Sequence, residues 1–280
     1  MLKVVKKSGV IEEYDPKKVY NTIIRAGGSV EIAKQITEEV SKKAYDGIHT
    51  SEILKIIKSS LRKMHIGLNA RYDLKNALYR LGPTGFPFEN FISALINFQG
   101  YTTKIRQFIK GRCVVHEIDV IGELNTGGDV KRIMIEAKFR NEDEGYVGLK
   151  EAMYTYARFL DISEGSLRGL CDRFDEAWLV CNGKASDEAV QYSSCRGVKL
   201  ITWNYPPNES LRDMIHKFNA YPITVLTTLS RDLLSRLIDS NIILVKDLKQ
   251  FKVEDFSKRF KIKKSSAAKI MQEVDATLSF

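Results

Sequence analysis

Apolar and polar positions in the first eighty residues follow two rhythms. Residues 2–5 and 10–14 are short extended runs, and Lys6-Lys7-Ser8-Gly9 between them supplies a turn, which predicts a β-hairpin. Asp15-Pro16 then opens a helix, with Asp as N-cap and Pro in the first turn, and Val19, Ile23 and Ile24 carry its apolar face to Gly27-Gly28. Amphipathic spacing predicts three further helices over 30–44, 50–65 and 68–80, the second entered through Thr50-Ser51-Glu52. The run Gly82-Pro83-Thr84-Gly85-Phe86-Pro87 breaks this rhythm and marks a boundary.

A different pattern follows. A helix is expected over 88–100, then strands over 104–108, 113–121 and 132–139, the last two joined by a turn at Asn125-Thr126-Gly127-Gly128. A long helix over 146–160, a buried strand at 177–181, a helix at 185–196 and a strand at 199–203 complete the block. Antiparallel strands first and a β-α-β unit later describe a mixed sheet with helices on both faces. Pro206-Pro207 closes it. The remainder reads as helical, with apolar positions at Leu233, Leu234, Leu237 and Ile238, then Val245, Leu248 and Phe251, then Ile270 and Val274. The expected organisation is therefore three domains, 1–81, 82–217 and 218–280, in an α+β and α/β multidomain chain: a small β-hairpin with a helical bundle, a mixed-sheet α/β/α core, and an all-α module.

Charge sharpens this division. The net charge of +9 is carried by the two ends, at +7 over residues 1–80 and +4 over 218–280, while residues 81–217 stand at −2. Basic ends favour a polyanionic partner, and the middle block has carboxylates to spare. No apolar run reaches the roughly 18 residues that span a bilayer, and the first residues lack the apolar core of a signal peptide, so a cytoplasmic protein without a membrane partner is expected. Cys113, Cys171, Cys181 and Cys195 are unevenly spaced and read as free thiols. Cys113 and His116 form a C-x-x-H without a second pair, so thiols rather than structural zinc are expected.

The chemistry concentrates in the middle block. In His116-Glu117-Ile118-Asp119-Val120, strand alternation puts Glu117 and Asp119 on one face. In Ile135-Glu136-Ala137-Lys138 it does the same for Glu136 and Lys138, and the intervening turn makes the two strands neighbours. Two carboxylates and a lysine at one end of a hairpin suit phosphodiester hydrolysis: hard oxygens for Mg²⁺ or Mn²⁺, and a cation to orient water and offset transition-state charge. A Glu-x-Lys on a strand is by itself more often a solvated pair, but Ile133-Met134-Ile135 before it reads as a buried strand ending in charge.

Asp119…Glu136-x-Lys138 resembles the PD-(D/E)xK nuclease motif, and the block resembles the Mrr-like restriction endonucleases. Gly82-Pro83-Thr84-Gly85-Phe86 followed by Phe88-Glu89 is similar to that family's entry helix, and Asp175 to Val180 and Gly197 to Trp203 look like its later core strands. The resemblance implies a restriction-endonuclease-like core with Glu89, Asp119, Glu136 and Lys138 as the active set, and Asp119, Glu136 and Glu89 on metal. Many relatives carry a glutamine on the helix after the lysine strand; here that helix offers Lys150, Glu151, Tyr154 and Tyr156.

The first block resembles an ATP-cone, a regulatory nucleotide-binding domain, through Val5-Lys6-Lys7-Ser8-Gly9, Glu12, Tyr14-Asp15, Lys18-Val19 and Ile48-His49-Thr50. There is no P-loop. The resemblance implies ATP or dATP bound by Lys6, Lys7 and Lys18 on the phosphates, with Glu12, Asp15 and Thr50 completing the site; Lys7 and Ser8 stand where Arg and Asp are usual. Residues 221–280 look like a helix-hairpin-helix module, with Lys261-Ile262-Lys263-Lys264 in the hairpin region and its glycines absent; a bundle used for dimerisation is the alternative. Together these imply a Mg²⁺-dependent, homo-oligomeric DNA endonuclease tuned by ATP or dATP. The competing expectation is a nucleotide-responsive DNA-binding regulator with an inactive nuclease core.

Overall fold

The computed structural model describes residues 2–6, 8–82, 85–141 and 145–279, and the chain folds as two compact units. One comprises Met1–Leu74, Val225–Ser230 and Leu248–Phe280; the other comprises Lys75–Thr224 and Arg231–Asp247. Of the C-terminal segment, residues 225–230 and 248–280 fall in the first and 231–247 in the second.

In the first unit, β1 (Lys3–Val5) and β2 (Ile11–Glu13) form the expected hairpin. Asp15 caps α1 (Pro16–Arg25), its carboxylate accepting from the Lys17 amide at 2.9 Å. Ser29 caps α2 (Val30–Lys43). A strand of two residues, β3 (Ile48–His49), adds to β1 in parallel; it is too short to show alternation in the sequence. Helices α3 (Thr50–Met64) and α4 (Ile66–Tyr72) follow. Val4, Val19, Ile23, Ile36, Val40, Ile57, Leu61 and Leu68 form one buried core. The helix expected over 68–80 is two helices, α4 and α5 (Leu74–Tyr79), separated at Asp73.

The second unit is built on a five-stranded sheet. After α6 (Phe86–Asn97) come β4 (Thr102–Lys110), β5 (Val115–Asn125) and β6 (Val130–Lys138), an antiparallel meander. Tyr146–Val147 form β7, so α7 (Leu149–Leu167) starts later than its pattern suggested and runs further. Then β8 (Glu176–Cys181), the short β9 (Lys184–Ala185) paired with β7, α8 (Asp187–Arg196) and β10 (Lys199–Ile201) complete the order β10-β8-β6-β5-β4, with β6, β8 and β10 parallel. Helices α7 and α8 cover one face, burying Leu179, Cys181 and Leu200 with Ala152 and Ala189. Helix α6 lies against the other, where Phe88 meets Phe139 with ring centroids 5.6 Å apart. This is the mixed α/β/α core expected. Helix α9 (Leu211–Phe218), α10 (Arg231–Asp239) and α11 (Val245–Leu248) follow, and Ile223 and Val245 make backbone hydrogen bonds to Ile243 and Tyr221.

The chain then returns to the first unit with α12 (Val253–Arg259) and α13 (Lys264–Leu278), a helical hairpin whose turn places Lys261 in the left-handed region at φ 48°. Helix α13 packs on α4. At Gly67 the two backbones approach so closely that a Cβ would lie 1.9 Å from the Ala276 carbonyl oxygen.

Candidate active site

The site forms where two strands part. The β5–β6 ladder runs from Asn125↔Val130 to Val120↔Ile135 and stops there. Beyond that point the first half of β5 stays with β4, while β6 continues beside β8 as far as Lys138↔Cys181. Asp119 and Glu136 are the next residues past the split. The Asp119 carboxylate reaches across it to accept the Ala137 N–H at 2.7 Å. Glu136 is 2% exposed and is held from two sides, its Oε1 accepting from Lys138 Nζ and its Oε2 from an Arg158 guanidinium nitrogen.

Arg158 comes from the buried stripe of α7, formed by Ala152, Thr155, Arg158, Ile162 and Gly165. Its second terminal nitrogen donates to the Glu117 carbonyl, so one guanidinium ties β5 to the Glu136 side chain of β6 at the split. The same helix grips the β4–β5 turn: Asp161 accepts from the Cys113 and Val114 amides at 2.8 and 3.3 Å and pairs with His116 Nε2 at 2.8 Å. The His116 ring holds the Asp161 carboxyl well below the usual carboxylate range. His116 is therefore committed to a structural clamp, and Cys113, Cys171, Cys181 and Cys195 are free thiols.

Arg106 sits between the ladder pairs Ile105↔Val120 and Gln107↔Ile118, which places it opposite Asp119, with φ 51° in mid-strand. A non-glycine residue held there costs on the order of 1–3 kcal/mol and persists because its surroundings impose it. Its guanidinium bonds Glu89 at 3.0 Å and Asn90 at 3.2 Å, both on α6, and lies 5.2 Å from the Phe86 ring centroid. Glu89, expected on metal, is thus turned to Arg106. Among the described residues no three carboxylate, imidazole or thiol side chains converge as a metal cage. What the structure brings together is the Asp119–Glu136 pair, Lys138 and the two arginines. Tyr154 is 54% exposed, with the Arg158 guanidinium 5.3 Å above its ring.

Asp119 is pushed up to about 7, by burial first and then by the charges of Glu136 and Glu89, against the opposing Ala137 N–H. Burial and the neighbouring negative charges disfavour ionised Asp119, and its hard oxygens, like those of Glu136, are the donor type that Mg²⁺ or Mn²⁺ takes. The residues present fit such an ion. The raised value also sets a stability expectation. The folded state holds a proton on Asp119 that the unfolded chain has released, so stability falls as pH rises from about 4 through about 7. In EDTA, Asp119→Asn should raise the melting temperature at pH 8, and the gain should shrink towards pH 5. Thermal unfolding of both proteins across that range checks it; equal melting curves at pH 8 would contradict the assignment.

In the first unit, Glu12 bridges Lys6 at 2.7 Å and Lys18 at 3.0 Å, and Lys6 then Lys18 hold its carboxyl below its ordinary value. Thr50 is the first residue of α3, and Asp15 is engaged as the α1 cap. Lys7 lies outside the described residues.

Sequence reading missed Arg106 and Arg158. Arg158 had a usable signal, a charged residue on the apolar stripe of an amphipathic helix; Arg106 had none, because a left-handed strand residue that is not glycine leaves no mark in the sequence.

The sheet order and the helices packed on it define a mixed α/β/α core with a carboxylate pair where its central ladder parts. The ATP cone domain model matches residues 2–76, and the model described as AF1548-like, C-terminal, matches residues 221–277. An uncharacterized protein of Archaeoglobus fulgidus is 38% identical over 157 residues, 56% of this chain and 83% of that protein. The crystal structure of AF1548, a protein of unknown function, is 32% identical and covers 70% of this chain and 99% of its own, with a TM-score of 0.56. The chain belongs to the AF1548-like family. An MspJI restriction endonuclease in complex with a 27-mer oligonucleotide is also similar, at 15% identity and TM-score 0.40 over 63% of this chain and 36% of its own. The modification-dependent restriction endonuclease AspBHI gives 18% and 0.40, over 60% and 39%. No helix among the described residues is long and apolar enough to cross a membrane.

Proposed function

We propose that this protein is a homo-oligomeric, metal-dependent DNA endonuclease of the Mrr-like kind, whose cutting is tuned by ATP or dATP bound to its first domain. The observation that carries this reading is the meeting of Asp119, Glu136 and Lys138 where β5 and β6 part. Asp119 and Glu136, with the Ala137 carbonyl beside them, would hold Mg²⁺ or Mn²⁺, and Glu89 would join them on release from Arg106. Such an ion, when bound, supplies positive charge at a phosphate oxygen and lowers the pKa of a water.

The rest is the work of the chain itself. Lys138, hydrogen-bonded to Glu136 and with its side chain 29% exposed, presents an ammonium to the opening. There it can orient an attacking water and offset the charge that builds on the phosphate. Arg158 fixes the Glu136 rotamer, and burial of that carboxylate keeps water off the opposite side. On the first domain, Lys6 and Lys18 would exchange Glu12 for a triphosphate, with Lys7 supplying a further cation and Thr50 at the start of α3.

The test is supercoiled plasmid with Mg²⁺, with and without ATP or dATP, beside Asp119→Asn. Nicking is expected in the wild type and absent in the variant, and nucleotide is expected to change its rate. Calorimetry on Lys18→Glu should show ATP affinity reduced at least about tenfold, since an anion replaces a phosphate-facing cation. Intact plasmid in every arm, with branched and modified DNA also uncut, would favour a nucleotide-responsive DNA-binding regulator instead.

A further inference from the structure

The parted strands are bridged by a charge that no metal reading requires. Arg158 is 7% exposed, and its Nε is buried without a hydrogen-bond partner. Burying a guanidinium is costly, and here it is offset by two hydrogen bonds, one to the Glu136 carboxylate and one to the Glu117 carbonyl, and by the Tyr154 ring 5.3 Å away. Apolar residues at 152 and 162 on the same stripe pack without such a cost, so packing does not account for the arginine.

Its electrostatic effect is large. Glu89, Asp119 and Glu136 supply the negative charge of the site, and each of its three cations is already engaged there: Arg106 on Glu89, and Lys138 and Arg158 on Glu136. With all three carboxylates ionised the cluster is neutral. Lys138 and Arg106 are partly exposed and can turn away, at 29% and 33% side-chain exposure; Arg158, at 8%, cannot. Divalent ions in water-excluded sites need surplus negative charge from their ligands, and a second ion here would meet a fixed guanidinium on one of its two principal carboxylates.

We infer that Arg158 is a built-in second cation, a positioning residue that spans the split, ties down Glu136 and limits the site to a single divalent ion. This rests on the endonuclease reading of the same site. The planar fork of arginine suits the task, because it reaches a carbonyl on one strand and a carboxylate on the other at once.

Mn²⁺ titration of the full chain without nucleotide, followed by electron paramagnetic resonance, tests it, with Asp119→Asn defining the ions that belong to this site. Wild type should bind one such ion. Arg158→Gln should bind it at least about tenfold more tightly, a like charge having been removed, and should admit a second; Arg158→Lys, which keeps the charge, should still take one. Two Asp119-dependent ions in the wild type, or no tightening in a folded Arg158→Gln, would overturn the inference. If Arg158→Gln does not fold, the wild-type count and the Arg158→Lys count decide. Two ions together with plasmid nicking would sink this inference alone, whereas no Asp119-dependent ion and no nicking would sink the endonuclease reading with it.

Discussion

Glu136→Gln should slow metal-dependent plasmid nicking by about a thousandfold, equivalent to ~4 kcal/mol of transition-state stabilisation. The substitution keeps the shape of the side chain and removes the charge that the site is built around. It also leaves Arg158 buried beside a neutral amide, and a buried charge stripped of its partner destabilises a fold by roughly 3–5 kcal/mol. Loss of activity in Glu136→Gln alone would therefore not separate chemistry from unfolding. Lys138→Met separates them. Glu136 keeps its bond to Arg158 in that variant, and Lys138 is partly exposed, so the melting temperature should stay near that of the wild type. Nicking should still fall about a hundredfold, the usual scale for losing one positioned charge or proton-transfer group. Single-turnover nicking rates and thermal melts of both variants give the answer. Lys138→Met cutting at the wild-type rate would remove the lysine from the reaction and leave the motif without its third member.

That the site could be found at all from the sequence follows from strand geometry. Asp119, Glu136 and Lys138 lie on two strands joined by a glycine turn, and alternation with a period of two places each side chain. What alternation does not convey is that the β5–β6 ladder ends at Val120↔Ile135, so that Asp119 reaches the Ala137 amide across a gap instead of across a pair. The end of a ladder depends on groups outside the paired strands, here Arg106, left-handed opposite Asp119 on β4, and Arg158 from α7, bonded to Glu117 and Glu136, and neither is local to the motif. Strands of two residues, β3, β7 and β9, leave no pattern for a simpler reason: two residues cannot alternate. Glu89 lies on α6, a helix its pattern predicts, but its partner Arg106, which decides where the carboxylate points, leaves no mark in the sequence.

The same limit applies to the C-terminal segment. Its helices are legible from apolar spacing, and their hairpin from the basic run at 261–264. Their attachment to the first unit is not, because it is made by residues far apart in the chain: Gly67 against Ala276, and Thr227 and Thr228 against Glu273. A glycine within a short helix reads as a weak position until the second backbone lying on it is known.

Glu273→Ala should be the most damaging single substitution on α13. Glu273 is 2% exposed, and its carboxylate accepts four hydrogen bonds: the Thr227 amide and hydroxyl, both at 2.8 Å, and the Thr228 amide and hydroxyl, at 2.9 and 2.6 Å. Truncation opens a cavity and leaves those two amides without their partner in a part-buried setting, so a loss of about 3 kcal/mol is expected, a drop of roughly 10 °C in melting temperature. Thr228→Val deletes one of the four bonds and should cost about 1 kcal/mol. Glu273→Gln keeps the shape and one acceptor oxygen, but its amide group cannot accept the bonds made to the other oxygen, so it should fall between the two. Gly67→Val reaches the same contact from the opposite side, since its Cβ would meet the Ala276 carbonyl oxygen and one of the two backbones would have to move. Far-ultraviolet circular dichroism melts of the four variants should therefore rank Thr228→Val above Glu273→Gln above Glu273→Ala, with Gly67→Val also well below the wild type. A Glu273→Ala protein melting within about 2 °C of the wild type would mean less than about 1 kcal/mol, too little for four bonds to a buried carboxylate. In that case the docking of α13 would have to rest on the apolar contacts of Ala267, Ile270 and Val274 alone.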